Sequence, residues 1–300
     1  MSFLWIGATL VAAAAQTARN AAQRRLIKTV GARGAAYARF LFGAPFALLF
    51  LAAWCAATGA LPPHPGLDGS LWLLLAGAAQ IVATALMLSL MQTRSFFAAI
   101  SLTKTEPALV ALFGFLALGE RLSASEAAGV ALATFGVALA SAPTRRAFEP
   151  QGTRASTRSL VLGLGSAGLF ALSSIAFRAA LLDFSDGSAF LRAATALAMA
   201  LALQSALILG ALAAFERPVL RALARDWRGG LAPGFIGAFA SLFWFLAFAL
   251  QSAALVRALG LVETPFARLV SRHMFGETLA PAETVGAALI VAGALILLLA

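Results

Sequence analysis

Lys104-Thr105-Glu106-Pro107 stands in the middle of the apolar run 95–118, and Glu263-Thr264-Pro265 stands in the apolar run 252–275, 157 residues further on. A charged group at the centre of a membrane-length segment costs about +2.5 to +3.5 kcal/mol on insertion scales. Pro has no N–H, so the carbonyl four residues back, Thr103 for Pro107, loses its helical partner. Such groups persist at depth only where they face protein or a water-filled cavity. At the same offset Glu120 lies on Glu277, Glu126 on Glu283, Gly129 on Gly286 and Gly136 on Gly293. Three coincidences among twelve acidic residues mark an internal duplication.

The frame of that duplication is a membrane protein. Of 300 residues, 61% are hydrophobic and 11% charged, and the mean hydropathy is +0.91. A soluble domain carries about 25% charged residues. The apolar runs are continuous and rich in Leu and Ala, which excludes the alternation of a membrane barrel. Ten candidate spans follow at 3–23, 34–58, 70–92, 95–118, 124–142, 159–180, 187–214, 230–250, 252–275 and 281–300. The first ends in small residues as a secretory signal does, but it lacks a basic leader and has a counterpart at 159–180, so it reads as a helix.

The polar stretch 143–158, with Pro143, Pro150 and Gly152, is a linker between residues 1–142 and 159–300. Five spans lie on each side. An odd number inverts the second half, so the expected fold is all-α, ten transmembrane helices in two inverted five-helix repeats, a recurrent transporter plan. Fifteen Lys and Arg fall in loops on one side: Arg19, Arg24, Arg25, Lys28 and Arg33 after the first span, Arg217, Arg221, Arg225 and Arg228 after the seventh, and six more after the third, fifth and ninth. The other side has Arg121 alone, with Asp183 and Asp186. The positive-inside rule then puts both termini outside the cytoplasm. It also accounts for the net charge of +10 by topology and lipid contact, without nucleic acid. Of the six basic residues within spans, Arg39, Arg178, Arg192, Arg257 and Arg268 are close enough to span ends to snorkel, and Lys104 is not.

A two-fold in the membrane plane brings Glu106 and Glu263 to comparable depth at the repeat interface. Two readings stand side by side there: a substrate or coupling site, and a structural anchor for a bent helix. Lys104 is the nearest cation to Glu106, but residues two apart point about 200° apart on a helix. Either Pro107 distorts the segment or Lys104 pairs elsewhere. Gly119-Glu120 and Gly276-Glu277 read as helix stops, and Glu126 and Glu283 as acidic first turns. Trp244, with Gln80, Thr84, Gln92 and Phe97, offers a cavity lining of mixed apolar and amide character, set against the alternative of ordinary packing. Trp5, Trp72 and Trp227 read as interface anchors.

Other chemistries find little footing. Gly163-x-Gly165-x-x-Gly168 matches a dinucleotide fingerprint but lies within an apolar span rather than after a strand; it reads as a close-packing surface. Cys55 is single, His64 lies in a Pro-rich loop and His273 at a helix end. No metal, cofactor or catalytic residue is expected. An intramembrane prenyltransferase would need Asp-rich clusters, and a serine protease a Ser–His pair at depth.

The stretch Pro107 to Val137, with Leu118-Gly119-Glu120-Arg121-Leu122-Ser123 at its centre, resembles the signature of the EamA domain of the drug/metabolite transporter superfamily. Pro265 to Gly293 is a looser second copy, with Phe275-Gly276-Glu277-Thr278-Leu279. The resemblance covers the whole chain as two domains. It implies a ten-helix carrier of the bacterial inner membrane, commonly an exporter of amino acids or related metabolites; amino-acid exporters of the YddG type are a branch of similar layout. Small four-helix relatives carry an essential Glu in their first helix. Here Gln16 stands at that depth, and Ser173-Ser174 in the sixth span, so simple drug/proton antiport does not carry over. The expected partners are a small-molecule substrate and membrane lipid, and monomer and dimer both stay open. Import, facilitated diffusion, or a drug, sugar or nucleotide-type cargo is the alternative transport reading. Pro107 and Pro265 are expected to break the helices beside the cavity, and Glu106, Glu263, Lys104, Gln16, Gln80, Thr84, Phe97 and Trp244 to line or couple it.

Overall fold

The computed structural model describes residues 3–92, 103, 106–140, 153–275 and 281–299. All regular structure in them is helical. The helices are α1 (Leu4–Leu41), α2 (Ala44–Thr58), α3 (Leu67–Met91), α4 (Glu106–Leu118), α5 (Ala124–Ala140) and α6 (Thr153–Asp183). They continue as α7 (Ala189–Phe215), α8 (Arg217–Arg225), α9 (Trp227–Leu250), α10 (Ala253–Leu259), a 3-10 turn (Gly260–Val262), α11 (Glu263–Phe275) and α12 (Pro281–Leu299).

Five segments are long and apolar enough to cross a membrane: Leu4–Thr58, Leu67–Met91, Thr157–Asp183, Ala189–Phe215 and Trp227–Leu250. The first has 55 residues, more than twice the ~20 that span a bilayer. It is divided at Gly31, where φ is 74° and ψ is 172°, a backbone region open only to glycine. Gln23 ties the two arms together by donating to the Ala35 carbonyl at 2.8 Å.

The segment 19–30, expected as a basic loop, is helical. Arg19, Asn20, Gln23, Leu26 and Val30 are buried, and Arg25 and Lys28 are exposed. The three- and four-residue spacing of the buried set makes one inward face. A hydropathy window sees only the charges and ends the span too early. Likewise α6 begins at Thr153, inside the expected linker.

In a bilayer, helices associate through close packing of small residues rather than through hydrophobic transfer, and the core is accordingly rich in buried Ala. Helix α1 packs chiefly on α9, α3 on α6, and α5 on α12, with α2 against α7 and α10 against α4. The α5/α12 contact is made by the repeated glycines. A Cβ on Gly136 would stand 2.7 Å from the Gly286 carbonyl oxygen, and one on Gly293 2.7 Å from the Ala133 nitrogen. The two backbones therefore touch within one chain.

The two ends of the bundle differ in charge. At one end Thr29 donates to Asp226 at 2.7 Å and Arg33 pairs with Glu216. The exposed Arg217, Arg221, Arg225 and Arg228 lie there on and just after α8. At the other, Asp183 accepts the backbone N–H groups of Gly66 and Gly69 at 2.6 and 3.1 Å, closing the start of α3. Helix α5 opens on a reciprocal capping box: Ser123 N–H donates to Glu126 and Glu126 N–H to the Ser123 hydroxyl, at 2.7 and 3.2 Å.

Candidate functional site: two buried carboxylates behind a narrow cavity

Glu263 occupies the first position of α11, with Pro265 two residues on, and Glu106 is the first described residue of α4, with Pro107 next to it. Pro265 thus sits in a first turn, where a missing N–H is tolerated. Upstream of Pro265 the chain does not continue as α-helix: it passes through the 3-10 turn Gly260–Val262, which contains Leu261, the carbonyl Pro265 cannot serve. The run Ala253–Phe275 is therefore a broken helix with Glu263 at the break. The carboxylate gains from the N-terminal end of the helix dipole.

Both carboxylates are buried, Glu106 at 2% and Glu263 at 0% exposure. Each is held by the opposite half of the chain. Glu263 accepts from Gln16 Nε2 at 2.6 Å and from Asn20 Nδ2 at 2.9 Å, both on α1. Asn20 is oriented in turn by Arg19, whose Nη2 donates to its side-chain oxygen at 2.7 Å. Glu106 is ion-paired with Arg257 of α10 through both Nε and Nη2, and it accepts from Ser174 of α6 at 3.1 Å. Trp244 joins the two clusters. Its Nε1 donates to Gln16 at 3.0 Å, and its ring lies 4.6 Å under the Arg257 guanidinium.

Between the clusters is a cavity of about 20 Å³, room for a water or two. Gln16, Arg19, Arg39, Trp244 and Arg257 form part of its polar wall, with Gln80, Ser173 and Ser241. Phe170, Phe177, Phe245 and Phe248 supply apolar wall. The carboxylates stand one residue behind this lining and act on it through Gln16, Ser174 and Arg257. A third, half-buried pair lies nearby: Arg178 holds Glu120 at 3.1 Å and donates to the Phe248 carbonyl.

Of the side chains expected at the site, Gln16, Gln80 and Trp244 line the cavity, with Glu106 and Glu263 behind. Gln80 receives Gln204 Nε2 at 3.0 Å. Thr84 is buried away from it, donating to the Gln80 carbonyl at 2.8 Å. Lys104 and Phe97 lie outside the described residues. Arg19, Asn20, Arg39, Ser174 and Arg257 were not foreseen as site residues. Arg39, Arg178 and Arg257 do not snorkel; they turn inward, because carboxylates or the cavity await them there. Helical spacing was the available signal: Gln16, Arg19, Asn20 and Gln23 share one face with three- and four-residue steps. Among the described residues no three His, Cys, Asp or Glu side chains gather as a metal site.

The comparisons with known proteins come to the same part of the chain. Residues 3–142 match the model of the EamA-like transporter family. This stretch is similar to an EamA domain. It contains Gln16, Asn20, Arg39 and Glu106, the first half's contribution to both clusters. These residues are therefore similar to a family that transports small solutes, in a chain with five segments long and apolar enough to cross a membrane. No curated protein matches the chain in sequence. A solved crystal structure shares its fold at 18% identity, with a TM-score of 0.68 over 97% of this chain and 95% of the other.

Proposed function

We propose that the protein is a secondary carrier exporting amino acids or closely related metabolites from the bacterial cytoplasm by alternating access. The observation that carries this is the crossed grip on the carboxylates: each half supplies a glutamate that the other half holds, around a narrow cavity with aromatic and polar walls. A movement of one half against the other has to remake both clusters, so their occupancy and the halves' positions are linked. A cavity of water size admits an amino acid only after such a movement, which fits a carrier better than a channel.

Two inverted five-helix repeats, 1–142 and 159–300, are the architecture this reading uses. It is supported by the pairing of α1 with α9, α3 with α6 and α5 with α12, which exchanges first and third spans between halves as a two-fold does. The equivalence of Gln16 and Ser173 at the 157-residue offset supports it too. The orientation in which both termini face away from the cytoplasm is supported by Arg25, Lys28, Arg33 and the α8 arginines meeting at one end, opposite Asp183 and Asp186. Glu106 and Glu263 are assigned the coupling role, Gln16, Gln80 and Trp244 the cavity wall, and Pro107 and Pro265 the helix breaks.

Counterflow in proteoliposomes tests the reading. Labelled Phe, Leu or Thr should accumulate only when unlabelled substrate is inside, and Glu106→Gln and Glu263→Gln should each abolish it. Counterflow that survives both substitutions would make the glutamates anchors only. Its absence with every amino acid would remove the cargo assignment.

A further inference from the structure

Three guanidinium groups line the cavity, and among the described residues two carboxylates, Glu106 and Glu263, stand directly behind it. Arg257 is matched by Glu106. Arg19 has Glu263 as its attracting charge and the Asn20 oxygen as acceptor. Arg39 is the remainder. It is 3% exposed. Arg19 and Arg257 both repel it. Its guanidinium rests 4.4 Å from the ring centre of Phe40, and among the described residues no carboxylate or carbonyl accepts from it. Nearby in the same wall the Ser173 hydroxyl, also buried, has no hydrogen-bond partner. A buried charge without a counterion is expensive, and one repelled by two neighbours more so. Such a group persists where a ligand completes it.

We propose that Arg39 receives the acidic group of the transported solute, with Ser173 beside it. This rests on the carrier reading and sharpens it. Arg257 already occupies Glu106, and amide donors occupy Glu263, so an ammonium finds no vacant counter-charge in this state. The site therefore reads a carboxylate or another planar or tetrahedral oxyanion, not an amine. A guanidinium fork fits such oxygens two at a time. Phe170, Phe177 and Phe248 leave an apolar side chain as the rest of the solute.

The test is ligand-induced shift of the unfolding temperature of purified protein, which needs no transport. The probes are phenylalanine, 3-phenylpropanoate, phenethylamine and phenyl phosphate. Phenylalanine and 3-phenylpropanoate should stabilise the wild type, and phenethylamine should not. If phenyl phosphate alone stabilises, the oxyanion assignment stands and its source is a phosphate. Arg39→Gln should weaken acid binding by about 30-fold or more, with Arg39→Lys in between. Arg39→Gln should also raise the unfolding temperature of the ligand-free protein by ~2–4 °C, since it removes an uncompensated charge. The proposal is overturned if phenethylamine protects as well as the acids, if no acid protects the wild type, if Arg39→Gln binds acids undiminished, or if Arg39→Gln lowers the ligand-free unfolding temperature. Acid binding lost in Arg39→Gln without any counterflow would sink the carrier reading alone. Counterflow with Arg39-independent binding would sink this one alone.

Discussion

Glu106 and Glu263 both stand beside a proline in an apolar run, 157 residues apart, yet they are held by different chemistry. Glu106 meets a full opposite charge, Arg257, with one hydroxyl in support. Among its described partners Glu263 has two neutral amides, Gln16 and Asn20, with the Arg19 charge behind Asn20. The buried carboxylate beside a proline is common to both, and the described partners are not. The difference sets what each site tolerates. An ion pair loses both members' compensation when either is removed, whereas a carboxylate with several hydrogen-bond donors loses them one at a time.

The largest expected effect is therefore on the first site. Arg257→Ala leaves Glu106 buried with Ser174 as its described donor, and it should cost about 3–5 kcal/mol. Chemical unfolding of the purified protein would measure it. The double variant Glu106→Gln with Arg257→Gln should recover much of that loss, because two neutral amides replace two charges. If Arg257→Ala is near neutral, the pairing is not what holds Glu106, and the contrast between the sites disappears.

The second site should yield intermediate effects. Gln16→Ala and Asn20→Ala each remove one hydrogen bond to a charge, about 1.5–3 kcal/mol. Gln16→Ala should be the worse of the two, since it also strands the Trp244 indole N–H. Combining them should cost more than the sum if the remaining amide partly compensates for the first loss. Additive losses in a double-variant cycle would mean that each donor acts alone.

The contrast also explains what could be read from sequence. Glu106, Glu263 and their prolines announce themselves locally, because charge and a missing N–H are conspicuous in any apolar run. The glycines at 129, 136, 286 and 293 were legible through their spacing. Glu263's partners lie 247 and 243 residues away and Glu106's Arg257 lies 151 away. No local pattern specifies which helix faces which at that range. Arg19 and Asn20 were hidden further by being part of a basic segment that resembles a loop until its inward face is traced. Arg257 sits near a span end, where an arginine ordinarily reaches for headgroups. Only the assembled bundle shows a carboxylate nearer than the membrane surface.

The smallest expected effect is the sharpest probe of the asymmetry. Ser174 donates at 3.1 Å to Glu106 and lies 2.8 Å from the Phe170 carbonyl of its own helix. One hydroxyl proton cannot serve both fully, and Glu106 keeps Arg257 in either case. Ser174→Ala should therefore cost no more than about 1 kcal/mol, well under Gln16→Ala at the other carboxylate. A Ser174→Ala loss equal to that of Gln16→Ala would show that hydrogen-bond donors, not the ion pair, govern both carboxylates, and that the two halves are held by the same means after all.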